Sequence, residues 1–254
     1  MQDGFIKVAA GTPEIQVADC AYNAQACLSL LHQAAAEGVK VLCLPELCLT
    51  GYTCGDLFLQ DTLLQGAEDA LRSLLEGSKD LDLLAVVGVP VRYNQKLFNC
   101  AAVFCRGVLL GLVPKIHLPN YTEFYEGRWF TSGRELQGTD FCIPFAGQES
   151  VEFSAGLLFR CVNEPLLTIG VEICEDLWVA DPPSTRLTQG GATLLLNPSA
   201  SDETVCKDAY RRTLLEATSG RLVCGYVYAD AGWGESSTDL IYAGHSLIAE
   251  NGMI

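Results

Sequence analysis

The stretch LLTIGVEICEDLW, Leu166 to Trp178, poses the question on which the fold turns. An apolar run of strand length ends at Cys174, and three carboxylates, Glu172, Glu175 and Asp176, crowd around that cysteine. A run apolar on both faces belongs inside a sheet covered on each side. Negative neighbours disfavour a thiolate. Either the thiol is inert, or another part of the chain makes it useful.

Outward from this strand, similar runs recur. FIKVAAG reads as a first strand, CAYNAQACLSLLHQAAAEG as an amphipathic helix closed by Gly38, and VKVLCLPE as a strand ending at Glu46. DTLLQGAEDALRSLLEGS predicts a second helix. DLLAVVGVPV, KLFNCAAVFC and VLLGLVPK form a meander, separated by turn-type pairs at Asn94-Gln95 and Arg106-Gly107. A long irregular section follows, IHLPNYTEFYEGRWFTSGRELQGTDFCIPF, too aromatic for a disordered linker. Beyond Trp178 come a polar loop rich in Pro, the strand GATLLLNPSAS, a helix in KDAYRRTLLEATSGR, and strands in LVCGYVYADAG and AGHSLIAENG. Strands that alternate with helices and also run as hairpins predict an α/β domain with a mixed sheet covered by helices, spanning residues 1–254. The chain stops just past the Asn251-Gly252 turn signal, so the domain is expected to be truncated near this end.

A net charge of −15 argues against nucleic acid and anionic membranes as partners, because both require clustered Lys and Arg. No apolar run reaches the length of a membrane span and the first residues lack a signal-peptide pattern, which predicts a cytoplasmic protein. Twelve cysteines lie mostly inside apolar runs without a CxxC pair, and the three histidines form no HxxxH pattern. Together they speak against a metal site and for reduced, buried thiols.

Four strand ends carry chemistry: Glu46, Lys115, Cys174, and the pair Asn197 and Ser199. A lysine near Cys174 would offset its acidic neighbours and stabilise an oxyanion, while a glutamate could take the thiol proton. Cysteine is well suited to splitting amide hydrolysis into two steps through a thioester.

Glu46 in LPELCLTGY, Lys115 in LVPKIHLPNYTEFYEGRWF and Cys174 in GVEICEDLW resemble the Glu-Lys-Cys triad of the nitrilase (carbon–nitrogen hydrolase) superfamily. That resemblance implies a four-layer α-β-β-α sandwich. ICEDLW and EFYEGRWF are further similar to the N-terminal glutaminase domain of the glutamine-dependent NAD⁺ synthetase family. The resemblance implies Cys174 as nucleophile on the side-chain amide of L-glutamine, Glu46 as general base and Lys115 as stabiliser of the tetrahedral intermediate. It implies Glu123 as the second glutamate, positioning Lys115 or the substrate. Glu175 would pair with the substrate ammonium; Tyr52, Tyr121, Phe124 and Trp178 would line the pocket. Either Ser199 or Ser201 would hydrogen-bond the substrate.

In that family the released ammonia passes to a C-terminal synthetase domain, which uses ATP, Mg²⁺ and deamido-NAD. No Ser-Gly-Gly pyrophosphatase loop or Lys-containing P-loop is found here, so the synthetase domain is expected to be absent from this chain and no cofactor is expected for the domain present. A homo-oligomer is also implied. Two other readings stay open: a stand-alone amidase on another small amide, and a catalytically silent assembly subunit.

Overall fold

The computed structural model describes residues 4–136, 141–237 and 239–254. Strands β1 (Val8–Ala10), β2 (Val41–Cys43), β3 (Leu84–Tyr93), β4 (Lys96–Cys105), β5 (Val108–Pro114), β6 (Phe141–Phe145) and β7 (Gln148–Phe153) build a seven-stranded sheet in the order β1-β2-β3-β4-β5-β7-β6. Strands β8 (Leu158–Arg160), β9 (Thr168–Val171), β10 (Leu194–Ser199), β11 (Gly225–Asp230) and β12 (Leu247–Glu250) build a five-stranded sheet in the order β12-β11-β10-β9-β8. Both sheets are mixed: β1, β2 and β3 are parallel, β3, β4 and β5 antiparallel, and β9, β10 and β11 parallel.

Side-chain alternation assigns each residue to a layer. In β2, Val41 and Cys43 face the second sheet, whereas Leu42 points outward to α1 (Cys20–Ala36) and α2 (Asp61–Gly77). In β10, Leu194 and Leu196 meet the first sheet, and Leu195 packs under α3 (Pro183–Gln189) and α4 (Lys207–Leu222). The result is helix, sheet, sheet, helix, with an apolar seam between the sheets built from Val86, Ala101, Val103, Val171, Leu196 and Val227. This is the four-layer sandwich expected from the resemblance.

The meander forms as expected, with both turn pairs in the left-handed region: Asn94 and Gln95 at φ 48° and 63°, Arg106 and Gly107 at 49° and 78°. The β6–β7 hairpin, β8 and α3 were not anticipated. β6 is the edge strand and β7 its neighbour, both with exposed positions, and the seven-residue α3 begins behind a Pro-Pro pair, where proline is tolerated at the first helical position.

Candidate active site

Glu46, Lys115 and Cys174 each stand just past a strand end. The chain leaves β2 and crosses over β3 at Gly88, whose N–H donates to the Pro45 carbonyl at 3.2 Å. A Cβ on Gly88 would lie 1.9 Å from the Leu47 nitrogen, so only glycine lets Glu46 sit this close to the sheet. Glu46 is buried, as is Lys115, which follows β5 directly. The Lys115 ammonium donates to Glu46 Oε1 at 2.6 Å and to Glu126 Oε1 at 2.6 Å. Asn99 Nδ2 donates to Glu46 Oε1 at 2.6 Å, the Ala200 N–H to Glu46 Oε2 at 3.0 Å, and the Tyr52 hydroxyl to Glu126 Oε1 at 2.7 Å.

The electrostatics follow from this crowding. Burial alone would drive Lys115 neutral, but the charges of Glu126 and Glu46 more than offset it and hold the ammonium protonated. Glu126 is pushed up, first by burial and then by the charge of Glu46, against the pull of Lys115. The ammonium therefore stays charged between two buried carboxylates.

Cys174 opens a short 3-10 turn, Cys174–Leu177, with φ +44°, a left-handed backbone that costs a residue bearing a Cβ about 1–2 kcal/mol. Such strain persists where its surroundings over-determine it, and it collects at functional positions. Cys174 is buried, with 6% of the residue exposed. Burial raises its pKa most, followed by the charge of Glu46; Lys115, the Ser199 hydroxyl and the Ala200 N–H favour the thiolate. The sulfur thus stays protonated at rest, with a carboxylate and an ammonium acting on it from across the site.

Asp176 joins the two loops that supply the amine and the sulfur. Its Oδ1 accepts the His117 backbone N–H at 2.7 Å and contacts His117 Nδ1 at 2.9 Å, and its Oδ2 accepts the Ile173 N–H at 3.0 Å. This accounts for one acid of the cluster near the nucleophile. The role is structural, two residues from the thiol.

Around the site mouth, Tyr52 and Phe124 meet edge to face at 6.3 Å, and Tyr121 and Phe124 at 6.0 Å. The Tyr121 hydroxyl donates to Glu175 Oε2 at 2.9 Å. The Lys207 ammonium lies 5.7 Å from the Phe124 ring and 5.5 Å from the Trp178 ring, and bonds to Asp202. A cavity of about 170 Å³ opens beside Tyr52, Glu123, Phe124 and Leu240. Ser199 is buried against Tyr228, donating at 2.6 Å, while the Ser201 hydroxyl accepts from Arg211 at 3.1 Å.

Of the two roles expected of Glu123, positioning Lys115 or the substrate, the first falls to another residue. The carboxylate that holds Lys115 is Glu126, whereas Glu123, three residues earlier, is part-exposed, bonds to Thr122 and faces Lys207. The segment from Lys115 onward is irregular, so no period says which glutamate turns inward. Phe124 and Glu126 turn inward on either side of exposed Tyr125. Asn99, Asp176 and Glu126 are the further residues that sequence reasoning gave no role. Lys115, Glu46 and Cys174 are brought together.

The chain matches the carbon-nitrogen hydrolase family over residues 7–253. It is 42% identical over 253 residues to a glutamine-dependent NAD(+) synthetase of Mycobacterium tuberculosis, covering all of this chain and 37% of that protein. A human protein of the same description is 28% identical over 256 residues, 95% of this chain and 36% of that one. A crystal structure of a glutamine-dependent NAD(+) synthetase from Cytophaga hutchinsonii superposes with a TM-score of 0.83 at 33% identity, covering 98% of this chain and 39% of that chain. An amidase from Nesterenkonia sp. shares the fold at a TM-score of 0.74 and 17% identity. The chain spans a little over a third of the length of the synthetases it matches.

Proposed function

Because the chain belongs to the carbon–nitrogen hydrolase family, we propose that it hydrolyses the side-chain amide of L-glutamine and supplies the ammonia to a synthetase domain. The observation that carries the chemistry is the Lys115 ammonium held between two buried carboxylates beside a strained, buried cysteine. The Cys174 sulfur attacks the amide carbon as Glu46 takes its proton. The developing oxyanion is met by the Lys115 ammonium and by the N–H of Glu175, the first after the nucleophile. Glu46 returns the proton to the leaving nitrogen, ammonia departs, and a thioester remains. Glu46 then activates water, the thioester carbon–sulfur bond breaks, and glutamate leaves with the thiol restored.

Glutamine specificity is supported by the charges around the mouth. Glu175, anchored by Tyr121, is an acid suited to a substrate ammonium, and Tyr52, Phe124 and Trp178 exclude water from the aliphatic stem. Ser199, whose hydroxyl favours the Cys174 thiolate, and Ser201 are the two serines from which the substrate contact would come. Glu123 lines the cavity beside Phe124 and serves the substrate rather than Lys115. The likeness to the synthetases supports a partner domain that makes NAD⁺; its use of ATP, Mg²⁺ and deamido-NAD, and assembly into several copies, belong to the same proposal. All twelve cysteines are unpaired, in keeping with a reducing cytoplasm.

The test is ammonia release from L-glutamine, L-asparagine and simple aliphatic amides. Glutamine is expected to be preferred, Cys174→Ala to abolish release, and Lys115→Ala and Glu46→Ala each to lower it by about 100-fold or more. Equal turnover of aliphatic amides would make the chain a general amidase. Full activity in Glu46→Ala would remove the base from this mechanism.

A further inference from the structure

A line of buried polar groups that the hydrolysis itself does not use runs beneath the nucleophile. The Cys174 N–H donates to Asn197 Oδ1 at 2.8 Å, and Asn197 Nδ2 donates to the Tyr226 hydroxyl at 3.0 Å. That hydroxyl donates to Glu172 Oε1 at 2.5 Å, and Glu172 Oε2 accepts the Ser184 N–H in the first turn of α3 at 2.7 Å. Asn197, Tyr226 and Ser184 are fully buried and Glu172 is 1% exposed. Four hydrogen bonds in series therefore tie the backbone of the strained cysteine to a helix on the outer face of the sheet.

Each link has one donor and one acceptor, so the order is fixed. Asn197 turns its carbonyl to Cys174 because its amide is engaged by Tyr226; the flipped amide would set two donors against each other. Asn197 shares a strand face with Leu195, which packs in the helix-side core with Tyr226, so strand register sets their reach. An isolated acceptor would satisfy one buried N–H and no more. This acceptor is itself held by three further groups, and it acts on the residue whose backbone is left-handed.

We propose that Asn197 is a positioning residue for the nucleophile, with Tyr226, Glu172 and the first turn of α3 as its anchor. The proposal rests on the reading of Cys174 as nucleophile. Holding the N–H of Cys174 fixes its φ, and with it both the direction of the sulfur toward Glu46 and the aim of the next N–H at the oxyanion. Misplacement of a reacting group by about 1 Å costs on the order of 100-fold in rate.

The experiment pairs steady-state glutamine hydrolysis with site-resolved iodoacetamide labelling in Tyr226→Phe and Asn197→Ala. Tyr226→Phe keeps the ring and its packing, so it serves if Asn197→Ala does not fold. In Tyr226→Phe, kcat is expected to fall about 10-fold with KM within about twofold, and in Asn197→Ala kcat falls about 100-fold. Cys174 should label more slowly in the same order, while exposed Cys142 and Cys206 label at the native rate. Native kcat and native Cys174 labelling in Tyr226→Phe, with only a lower Tm, would overturn the proposal and leave the line of groups as core packing. If Cys174→Ala retains activity in the otherwise native chain, the nucleophile reading fails and takes the positioning role with it.

Discussion

Lys115 touches two buried carboxylates at equal distance, and the two have different work. Glu46, whose charge acts on the thiol, is the proposed base, whereas Glu126 is tied to the Tyr52 hydroxyl. Removing Glu126 leaves a buried ammonium with one charged partner and strands the tyrosine, and breaking a buried pair costs about 3–5 kcal/mol. Glu126→Ala should therefore lower kcat by about 100-fold and lower Tm as well. Glu126→Gln, which keeps an oxygen for both donors, should recover most of the stability. Glu123→Ala should keep kcat within about twofold, because its carboxylate faces Lys207 rather than Lys115. Kinetics on the three variants check this, and a larger loss in Glu123→Ala than in Glu126→Ala would reverse the two assignments. Glu46, Lys115 and Cys174 were legible in the sequence because each ends an apolar run. Glu126 was not, since it lies in a loop without periodicity, and its partner Tyr52 is 74 residues away.

The elements show the same division. Strands with two buried faces, such as β3 and β4, announce themselves as continuous apolar runs, while the edge strand β6 and its neighbour β7 are short and partly exposed and do not stand out. Loops that tie elements together leave less trace still. Glu235, in the segment before β12, is 1% exposed and accepts the Thr53 N–H at 2.9 Å and the Thr53 hydroxyl at 3.0 Å, pinning the turn that carries Tyr52. Burial raises its pKa from 4.5 to about 7. Between those values the unfolded chain has lost this proton and the folded chain keeps it, so the contribution to stability is full below about pH 4.5 and is lost as pH rises through about 7. The slope is at most about 1.4 kcal/mol per pH unit. Glu235→Gln keeps the acceptor and cannot ionise. Its stability should fall less steeply than the native chain's between pH 5 and 7 in urea titrations. Parallel curves would mean that Glu235 ionises in the fold as it does in water.

At the scale of the molecule, the proposed catalytic groups are divided between the two sheets. Glu46 and Lys115 follow β2 and β5 of the seven-stranded sheet, while Cys174 follows β9 and Ser199 ends β10 of the five-stranded one. What keeps the amine opposite the sulfur is therefore the apolar seam in which Val86 and Val103 meet Val171 and Leu196, together with the Asp176 contacts to the His117 loop. The site has no stability separate from that seam. Leu196 is fully buried in it, one residue before Asn197, and truncating such a leucine costs about 2–5 kcal/mol. Leu196→Ala should lower the urea midpoint by about 1 M. In both the native chain and the variant, loss of ammonia release and loss of far-ultraviolet circular dichroism should follow one curve, because the sheets cannot part without separating the triad. If activity disappeared at clearly lower urea than the dichroism, the loops alone would be holding the triad, and the seam would serve the fold without aligning the chemistry.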